Sequence, residues 1–337
     1  MAVSRSAGGA AERPRIVVDV LPDVEADLFT DELLGRLAAV GELIRTGGAG
    51  GASRAGAEVL ITGWGTEPLP ASRADAGPLQ LVVHSAGTIR KLVPRSLIED
   101  GVRVSQSAAG MARSVAEFAL FTSMSLLRDL HRVDRAMHVQ HDWRAASAFG
   151  LGHTVAGTRI GVVGASRVGR IYIELVRAAG AEVVVYDPYL PDPEAERMGV
   201  ERVALDDLLR TCPLVAVHAP VTTETRGLLS ADRLALLRDG GMLVNTARSA
   251  VLDSAALERE LLSGRLSAAL DVFDEEPLPA GSLLWGLPNV LLTPHLGAVT
   301  VHSRRAQAAI AVEEVERYCR GEDLLHEVRA DAYERIA

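Results

Sequence analysis

From Arg15 onward, short apolar runs alternate with longer stretches in which apolar positions recur every three or four residues. The segments "IVVDVL" (16–21), "EVLITGW" (58–64) and "LQLVVHS" (79–85) have the length and β-branched content of buried strands, and "EADLFTDELLGRLAAV" after the first has helical spacing. Together they predict one α/β unit. The glycine-rich "TGGAGGASRAGA" (46–57) has neither phosphate-loop spacing nor a Lys-Ser/Thr ending, and is expected to be a plain linker. A helix of many turns is expected over 113–139, followed by an irregular stretch over 140–157. A second alternation then begins: "RIGVVG" (159–164), "AEVVVYD" (181–187), "PLVAVHAP" (213–220), "GGMLVNTA" (240–247), "LSAALDVF" (266–273) and "NVLLTPH" (289–295), with helical segments between. Six apolar strands separated by helices predict a doubly wound, mostly parallel sheet. The amphipathic stretch 300–321 is expected to be a helix returning to the first unit.

Composition sharpens this picture. A chain of 337 residues exceeds what one hydrophobic core usually organises, so two domains are expected. Apolar residues make up 48% of it, yet no run approaches the length needed to cross a bilayer, and a soluble protein without a membrane partner is expected. Residues 1–14, rich in Gly, Ala and Ser and lacking the apolar centre of a secretory signal, read as a disordered tail, with a cytoplasmic protein behind it. The net charge of −9, with no basic run, argues against a nucleic-acid partner. Cys212 and Cys319, far apart and outside any CxxC, suggest neither a disulfide framework nor a metal cluster; both read as packing residues.

Candidate chemistry begins at Gly164. The run "GASRVG" places Gly164 and Gly169 at the outer glycines of G-x-G-x-x-G, with Ser166 where the middle glycine is expected. A strand pattern enters it, a helix pattern leaves it, and Asp187 ends the next strand, 18 residues past Gly169. Gly164 would permit the tight turn and Gly169 the close helix–strand contact. The free amides of Arg167 and Val168 would face a pyrophosphate. Serine at 166 adds only a hydroxymethyl, whose hydroxyl could itself donate to a phosphate oxygen. Asp187 could accept from both ribose hydroxyls and repel the extra phosphate of NADP, which favours NAD. It could also simply cap the strand end, and Arg167 or Arg170 could accommodate a phosphate.

Three further polar residues fall at predicted strand ends, where open α/β sheets bind ligands: Arg248 after "NTA", Glu276 before Pro277, and His295 after Pro294. They supply a cationic fork, a carboxylate and a proton donor, the set that hydride transfer to a 2-oxo acid requires. Arg248 would bind the substrate carboxylate, His295 would protonate the carbonyl oxygen, and Glu276 would orient His295 and raise its pKa. Singly, each has a plainer reading: a surface ion pair, a loop carboxylate, a satisfied core histidine.

"GASRVG" with Asp187, "HAPVTTETRGLL" (218–229), "NTARSAVLDSAAL" (245–257), "ALDVFDEEPLP" (269–279) and "NVLLTPHLGAVT" (289–300) together resemble the D-isomer-specific 2-hydroxyacid dehydrogenase family, which includes phosphoglycerate dehydrogenases, in order from about residue 100 to 320. The resemblance implies Arg248, Glu276 and His295 as the catalytic set, with Asp271 close behind them near the nicotinamide. It implies that His218, Ala219, Pro220, Thr225, Thr246 and Ala247 line the cofactor cleft. Residues 100–298 would form an NAD-binding Rossmann domain, and 15–99 with 299–337 a flavodoxin-like substrate domain. A homodimer through 113–150 and a small 2-hydroxy or 2-oxo acid as substrate are implied as well. Two departures stand out. The family's substrate-carboxylate loop, G-[VAI]-G-x-D-N-[VI]-D, is replaced by "SAGTIRKLVP" (85–94): Ser85, Ala86, Gly87 and Thr88 supply small residues for it, and Arg90-Lys91 replaces the acidic-amide pair. That cationic pair reads as a solvated helix start or as the receptor of a second negative group such as a phosphate or phosphonate. Ser249 replaces the usual glycine after the arginine. A corepressor that binds a dinucleotide without turning it over is the alternative from another class; it predicts long regulatory tails.

Overall fold

The computed structural model describes residues 13–333. All but the last two residues of the expected tail over 1–14 lie outside them. The described residues divide into two compact units, 13–111 with 301–333, and Ala112–Thr300.

In the first unit the order of elements is β1 (Arg15–Asp19), α1 (Pro22–Leu28), α2 (Asp31–Val40), β2 (Glu42–Arg45), β3 (Val59–Thr62), β4 (Leu81–His84), α3 (Arg95–Glu99) and β5 (Arg103–Gln106), completed by a C-terminal helix over Val301–Cys319. The strands form one parallel sheet in the order β2-β1-β3-β4-β5, the flavodoxin-like arrangement. One face carries Ile16, Val18, Ile61 and Val83, which pack on Leu28, Leu33 and Leu37 and on Ala308, Ala311, Val312 and Val315 of the C-terminal helix. The other carries Val17, Leu60, Val82 and Val104 against Leu69, Ile89 and Leu97. The one helix expected over 25–40 is two, because Thr30 leaves helical geometry and its hydroxyl caps α2 by accepting from Leu33 N at 3.2 Å. The linker over 46–57 contains one short 3₁₀ turn, Gly51–Arg54.

β2 and β5 escaped the hydrophobic pattern because "ELIR" and "RVSQ" are four residues long with polar ends. β5 moves a boundary: it pairs with β4 from Leu81↔Arg103 to His84↔Gln106. Residues 100–111 therefore belong to the first unit, whereas the expected boundary at 100 assigned them to the second.

The second unit opens with α4 (Ala112–Leu127), α5 (Leu130–His138) and α6 (Trp143–Ser147). The single long helix expected over 113–139 breaks at Asp129, which takes a left-handed conformation, φ 49°. Then follow β6 (Arg159–Val163), α7 (Arg167–Ala178), β7 (Glu182–Tyr186), α8 (Asp192–Met198), β8 (Glu201–Arg202), α9 (Leu205–Thr211), β9 (Leu214–Val217), α10 (Ala231–Leu234), β10 (Met242–Asn245), α11 (Ser254–Leu262), β11 (Ser267–Leu270) and β12 (Val290–Leu292). All seven strands are parallel, in the order β12-β11-β10-β9-β6-β7-β8, so strand order reverses between β6 and β9. Ile160 and Val162 of β6 pack with Tyr172, Ile173 and Val176 of α7 and Ala116 and Ala119 of α4. Four adjacent strands, β11, β10, β9 and β6, deliver Asp271, Thr246, His218 and Gly164 to one edge. No described helix is long and apolar enough to cross a membrane.

Candidate active site

The turn after β6 is shaped by contacts that exclude side chains. Gly164 has φ +99°, and a Cβ on it would meet Ala219 N at 2.6 Å; a Cβ on Gly169 would collide with Gly164 O. Ser166 takes the N-cap of α7, its Oγ accepting from Gly169 N at 3.3 Å. The residue that departs from the glycine pattern thus performs a helix-cap function that glycine cannot, and its hydroxyl hydrogen is left available to a ligand. The amides of Arg167 and Val168 precede the first intrahelical bond and point out of the helix end. Asp187 stands at the mouth of the same turn, accepting from Ala165 N at 2.7 Å and from Tyr189 N at 2.8 Å. The strand-end cap and the ribose acceptor are therefore compatible, since each carboxylate oxygen keeps a lone pair. Arg170 is engaged with Glu194 at 2.5 Å, and Arg167 is exposed.

Across the β6/β9 crevice, His218 is buried against Tyr172, ring centroids 4.7 Å apart, and burial pushes its imidazole down to about 3, so it stays neutral. Its Nε2 and the Oγ1 of buried Thr246 have no hydrogen-bond partner among the described residues. A dinucleotide fits this crevice: the glycine cradle admits no side chain, the helix amides suit an anion, and two buried polar atoms await a partner. Ala219 packs behind Gly164 and Pro220 follows it. Thr225, expected to face the cofactor, instead uses its hydroxyl to close its own turn, accepting from Thr222 N at 2.7 Å and donating to Pro220 O. Ala247 and Arg248 are set by a residue the sequence reading passed over. Fully buried Asn245 accepts from Ala247 N and donates to Arg248 O, both at 3.0 Å. A buried amide ending an apolar strand is the signal that would have found it.

His295 and Glu276 meet: His295 Nδ1 lies 2.8 Å from Glu276 Oε2, with both side chains partly exposed. Burial alone would raise the Glu276 pKa, but the hydrogen bonds from His295 and from Phe273 N, aided by the charge of Arg248, hold it below the usual carboxylate range. The Glu276–Pro277 peptide is cis. Asp271, buried, takes no position open to a cofactor. Its Oδ1 accepts from Thr293 Oγ1 at 2.6 Å and Leu296 N at 2.7 Å, and its Oδ2 from Gly297 N at 2.9 Å. It pins both flanks of the turn that carries His295, which itself sits in a left-handed conformation, φ 56°. Beside the pair opens a cavity of about 520 Å³ walled by Phe273, Pro277, Leu278, Trp285 and Leu292.

In the first unit, Ser85, Ala86, Gly87 and Thr88 follow β4. Ser85 N donates to Thr62 O at 2.8 Å, and its Oγ is buried without a partner among the described residues. A Cβ on Gly87 would come within 2.9 Å of Met111 Cε, and Thr88 is exposed. Arg90 and Lys91 lie in a turn rather than at the expected helix start, because α3 does not begin until Arg95. The carbonyl of Arg90 accepts from Tyr333 OH at 3.2 Å, and Lys91 is exposed.

Residues 120–297 match the family model described as D-isomer specific 2-hydroxyacid dehydrogenase, NAD binding domain. The chain is 34% identical over 250 residues to the D-3-phosphoglycerate dehydrogenase of Mycobacterium tuberculosis, covering 74% of this chain and 47% of that protein. It is 30% identical over 261 residues to the glyoxylate reductase of Korarchaeum cryptofilum, covering 76% and 78%. Among solved structures, D-mandelate dehydrogenase of Rhodotorula graminis shares the fold with a TM-score of 0.82 at 24% identity, over 94% of this chain and 97% of that one. The chain belongs to the D-isomer specific 2-hydroxyacid dehydrogenase family, and NAD is the cofactor of its matched domain. It spans about half the length of the phosphoglycerate dehydrogenases it matches.

Proposed function

We propose that the protein interconverts a D-2-hydroxy acid and the corresponding 2-oxo acid with NAD, the second unit binding the cofactor and the first supplying the substrate loop at Ser85–Thr88. The observation that carries this reading is the 2.8 Å contact between His295 Nδ1 and Glu276 Oε2, on a turn pinned by Asp271 within the domain matched to NAD binding. When bound, the dinucleotide supplies or accepts a hydride at C2 of the acid. Arg167 N, Val168 N and Ser166 Oγ hold the pyrophosphate, and Asp187 holds the ribose. Arg248 binds the carboxylate with a planar fork of donors and draws charge toward the carbonyl. With Nδ1 committed to Glu276, His295 presents Nε2, which gives its proton to the carbonyl oxygen in reduction and takes it back in oxidation. Glu276, held ionised, fixes that tautomer and balances the imidazolium. Asp271 acts through the turn and is a positioning residue. A homodimer through α4 to α6 is part of the same reading, and Phe121, Met124, Val139 and Trp143 are exposed there.

The relatives named for phosphoglycerate and glyoxylate support an acid with an oxidisable C2. The test follows NADH absorbance with purified protein against 2-oxo acids of different side chains. Turnover of any member supports the reading. Tight NADH binding without turnover of any member overturns it in favour of a dinucleotide-sensing protein.

A further inference from the structure

The tip of the loop Ser85–Thr88 is held only weakly by bonds of its own. The amides of Gly87 and Thr88 donate to no described residue, and the bond from Arg90 N to Thr88 Oγ1 is long, 3.5 Å. Gly87 is half-buried and Thr88 exposed. Two successive free amides can serve an anion, but only while the backbone around them keeps one shape. What keeps that shape lies at the two ends of the loop. On the near side, Ser107 N donates to Ala86 O at 3.1 Å and to His84 O at 2.9 Å. On the far side, fully buried Ile89 opens a turn in which its carbonyl accepts from Leu92 N at 2.9 Å and from Val93 N at 2.8 Å. Leu69 N donates to Leu92 O at 2.8 Å, and Tyr333 OH donates to Val93 O at 2.7 Å and reaches Arg90 O at 3.2 Å.

Tyr333 is brought there by the segment that follows the C-terminal helix. Val328 N donates to Val104 O at 2.7 Å and Gln106 N to His326 O at 3.3 Å, with Ser105 bridged antiparallel to Glu327, so residues 326–328 pair with the outer edge of β5. Glu314, fully buried on the helix, locks this pairing. Its carboxylate accepts from Leu325 N at 2.9 Å, from His326 N at 3.1 Å and from Ser105 Oγ at 2.7 Å. Arg103 and Glu327 pair along the same edge at 2.7 Å. The Tyr333 ring joins Val93, Leu97, Val104 and Val328 in one apolar cluster. β5 ends one residue before Ser107, whose amide holds Ala86 O. One segment thus steadies both ends of the loop, the near end through β5 and the far end through a single phenol, all within the first unit.

We propose that Tyr333, carried on residues 324–333, is a positioning residue that holds the loop Ser85–Thr88 in the shape whose free amides receive the acid's carboxylate. The proposal rests on the reaction above for the identity of that ligand. Tyr333 acts through the turn at 89–93 and on affinity rather than chemistry, because a ligand binds in proportion to the fraction of loops already in the competent shape.

The experiment combines amide hydrogen exchange, read by mass spectrometry, with steady-state kinetics on wild type, Tyr333→Phe and Glu314→Gln. Tyr333→Phe keeps the ring and should speed exchange in 85–93 by roughly 2- to 10-fold, the worth of one neutral hydrogen bond, with β1 and β3 unchanged. KM for the acid should rise by a similar factor, with kcat and NADH affinity as in wild type. Glu314→Gln keeps the shape but sets an amide N–H against one of three donors, and should speed exchange in 324–333 and 85–93 together. Exchange in 85–93 that is unchanged in Tyr333→Phe, or raised equally across the unit, overturns the proposal, as does an unchanged KM beside a faster loop. Glu314→Gln loosening 324–333 alone also overturns it. Should wild type reduce no acid, the reaction reading fails separately. The exchange pattern then decides the positioning role: a rise confined to 85–93 in Tyr333→Phe supports it, and no rise or a uniform one overturns it.

Discussion

Both units are parallel sheets with a point where strand order reverses, and the two reversal points have opposite contents. In the second unit, between β6 and β9, the crevice is lined by backbone, by a glycine with no room for a side chain, and by His218 Nε2 left without a partner. In the first unit, between β1 and β3, the corresponding place is plugged from within. Asp19, fully buried, accepts from Gly50 N at 3.2 Å, from Arg54 Nε at 2.6 Å and from Thr46 Oγ1, while its own carbonyl accepts from Thr66 Oγ1 at 2.8 Å. Ser85 Oγ, one of several buried atoms of that unit without a hydrogen-bond partner among the described residues, follows β4, one strand further on. Topology says where a crevice can open, but the side chains at the strand ends decide whether it takes a ligand or seals itself.

Breaking each side of this comparison gives a graded set of effects. The largest is expected at His295. His295→Ala should lower kcat by roughly 10²–10⁴, the range of a positioned acid or base, with NADH affinity retained in a fluorescence titration. Next is the plug. Asp19→Asn leaves Arg54 buried without its carboxylate and should cost about 3–5 kcal/mol, read by urea unfolding, with no change in NADH affinity. The sign of its pH dependence follows from the site. Burial raises the Asp19 pKa, but the hydrogen bonds from Thr46, Arg54 and Gly50 outweigh it and leave the folded value below the ordinary 3.8. The stabilisation is therefore present above that ordinary value and is lost as pH falls through the lowered one, so the gap between wild type and Asp19→Asn should close on acidification. A gap that widens in acid would contradict the plug.

Gly169→Ala sharpens the other side. Its Cβ would press on Gly164 O, so about 1–3 kcal/mol of stability should go, together with NADH affinity. Loss of stability with affinity intact would separate the turn from the cofactor. The smallest effect is expected at Asp187, where alanine should shift the NADH-to-NADPH preference by about tenfold, the worth of one charge-assisted hydrogen bond.

Six of the seven strands of the second unit were easy to read in the sequence because apolar runs mark them and the site residues follow such runs, whereas β8, the exposed pair Glu201–Arg202, has no such run. His295 and Glu276, far apart in the chain, come together because β11 and β12 are neighbours. The first unit was harder. β2 and β5 are too short and too polar at their ends to be seen by periodicity, since their pairing is decided by the sheet they join. The breaks at Thr30 and Asp129 depend on one capping hydroxyl and one left-handed residue, neither of which disturbs a hydrophobic pattern. Asp271 was legible as important but not in its task, because a carboxylate that holds a turn and one that faces a cofactor look alike in a motif.

The left-handed backbone of His295 implies a conflict between durability and activity. A β-carbon at that φ is disfavoured, and the turn is kept there by the grip of Asp271 on either side of it. Glycine or asparagine would occupy the same backbone more comfortably, so His295→Gly is expected to melt at or above the wild-type temperature while being inactive. Under the proposed reaction, selection for stability alone would erode this position, and its histidine would persist only while turnover is under selection.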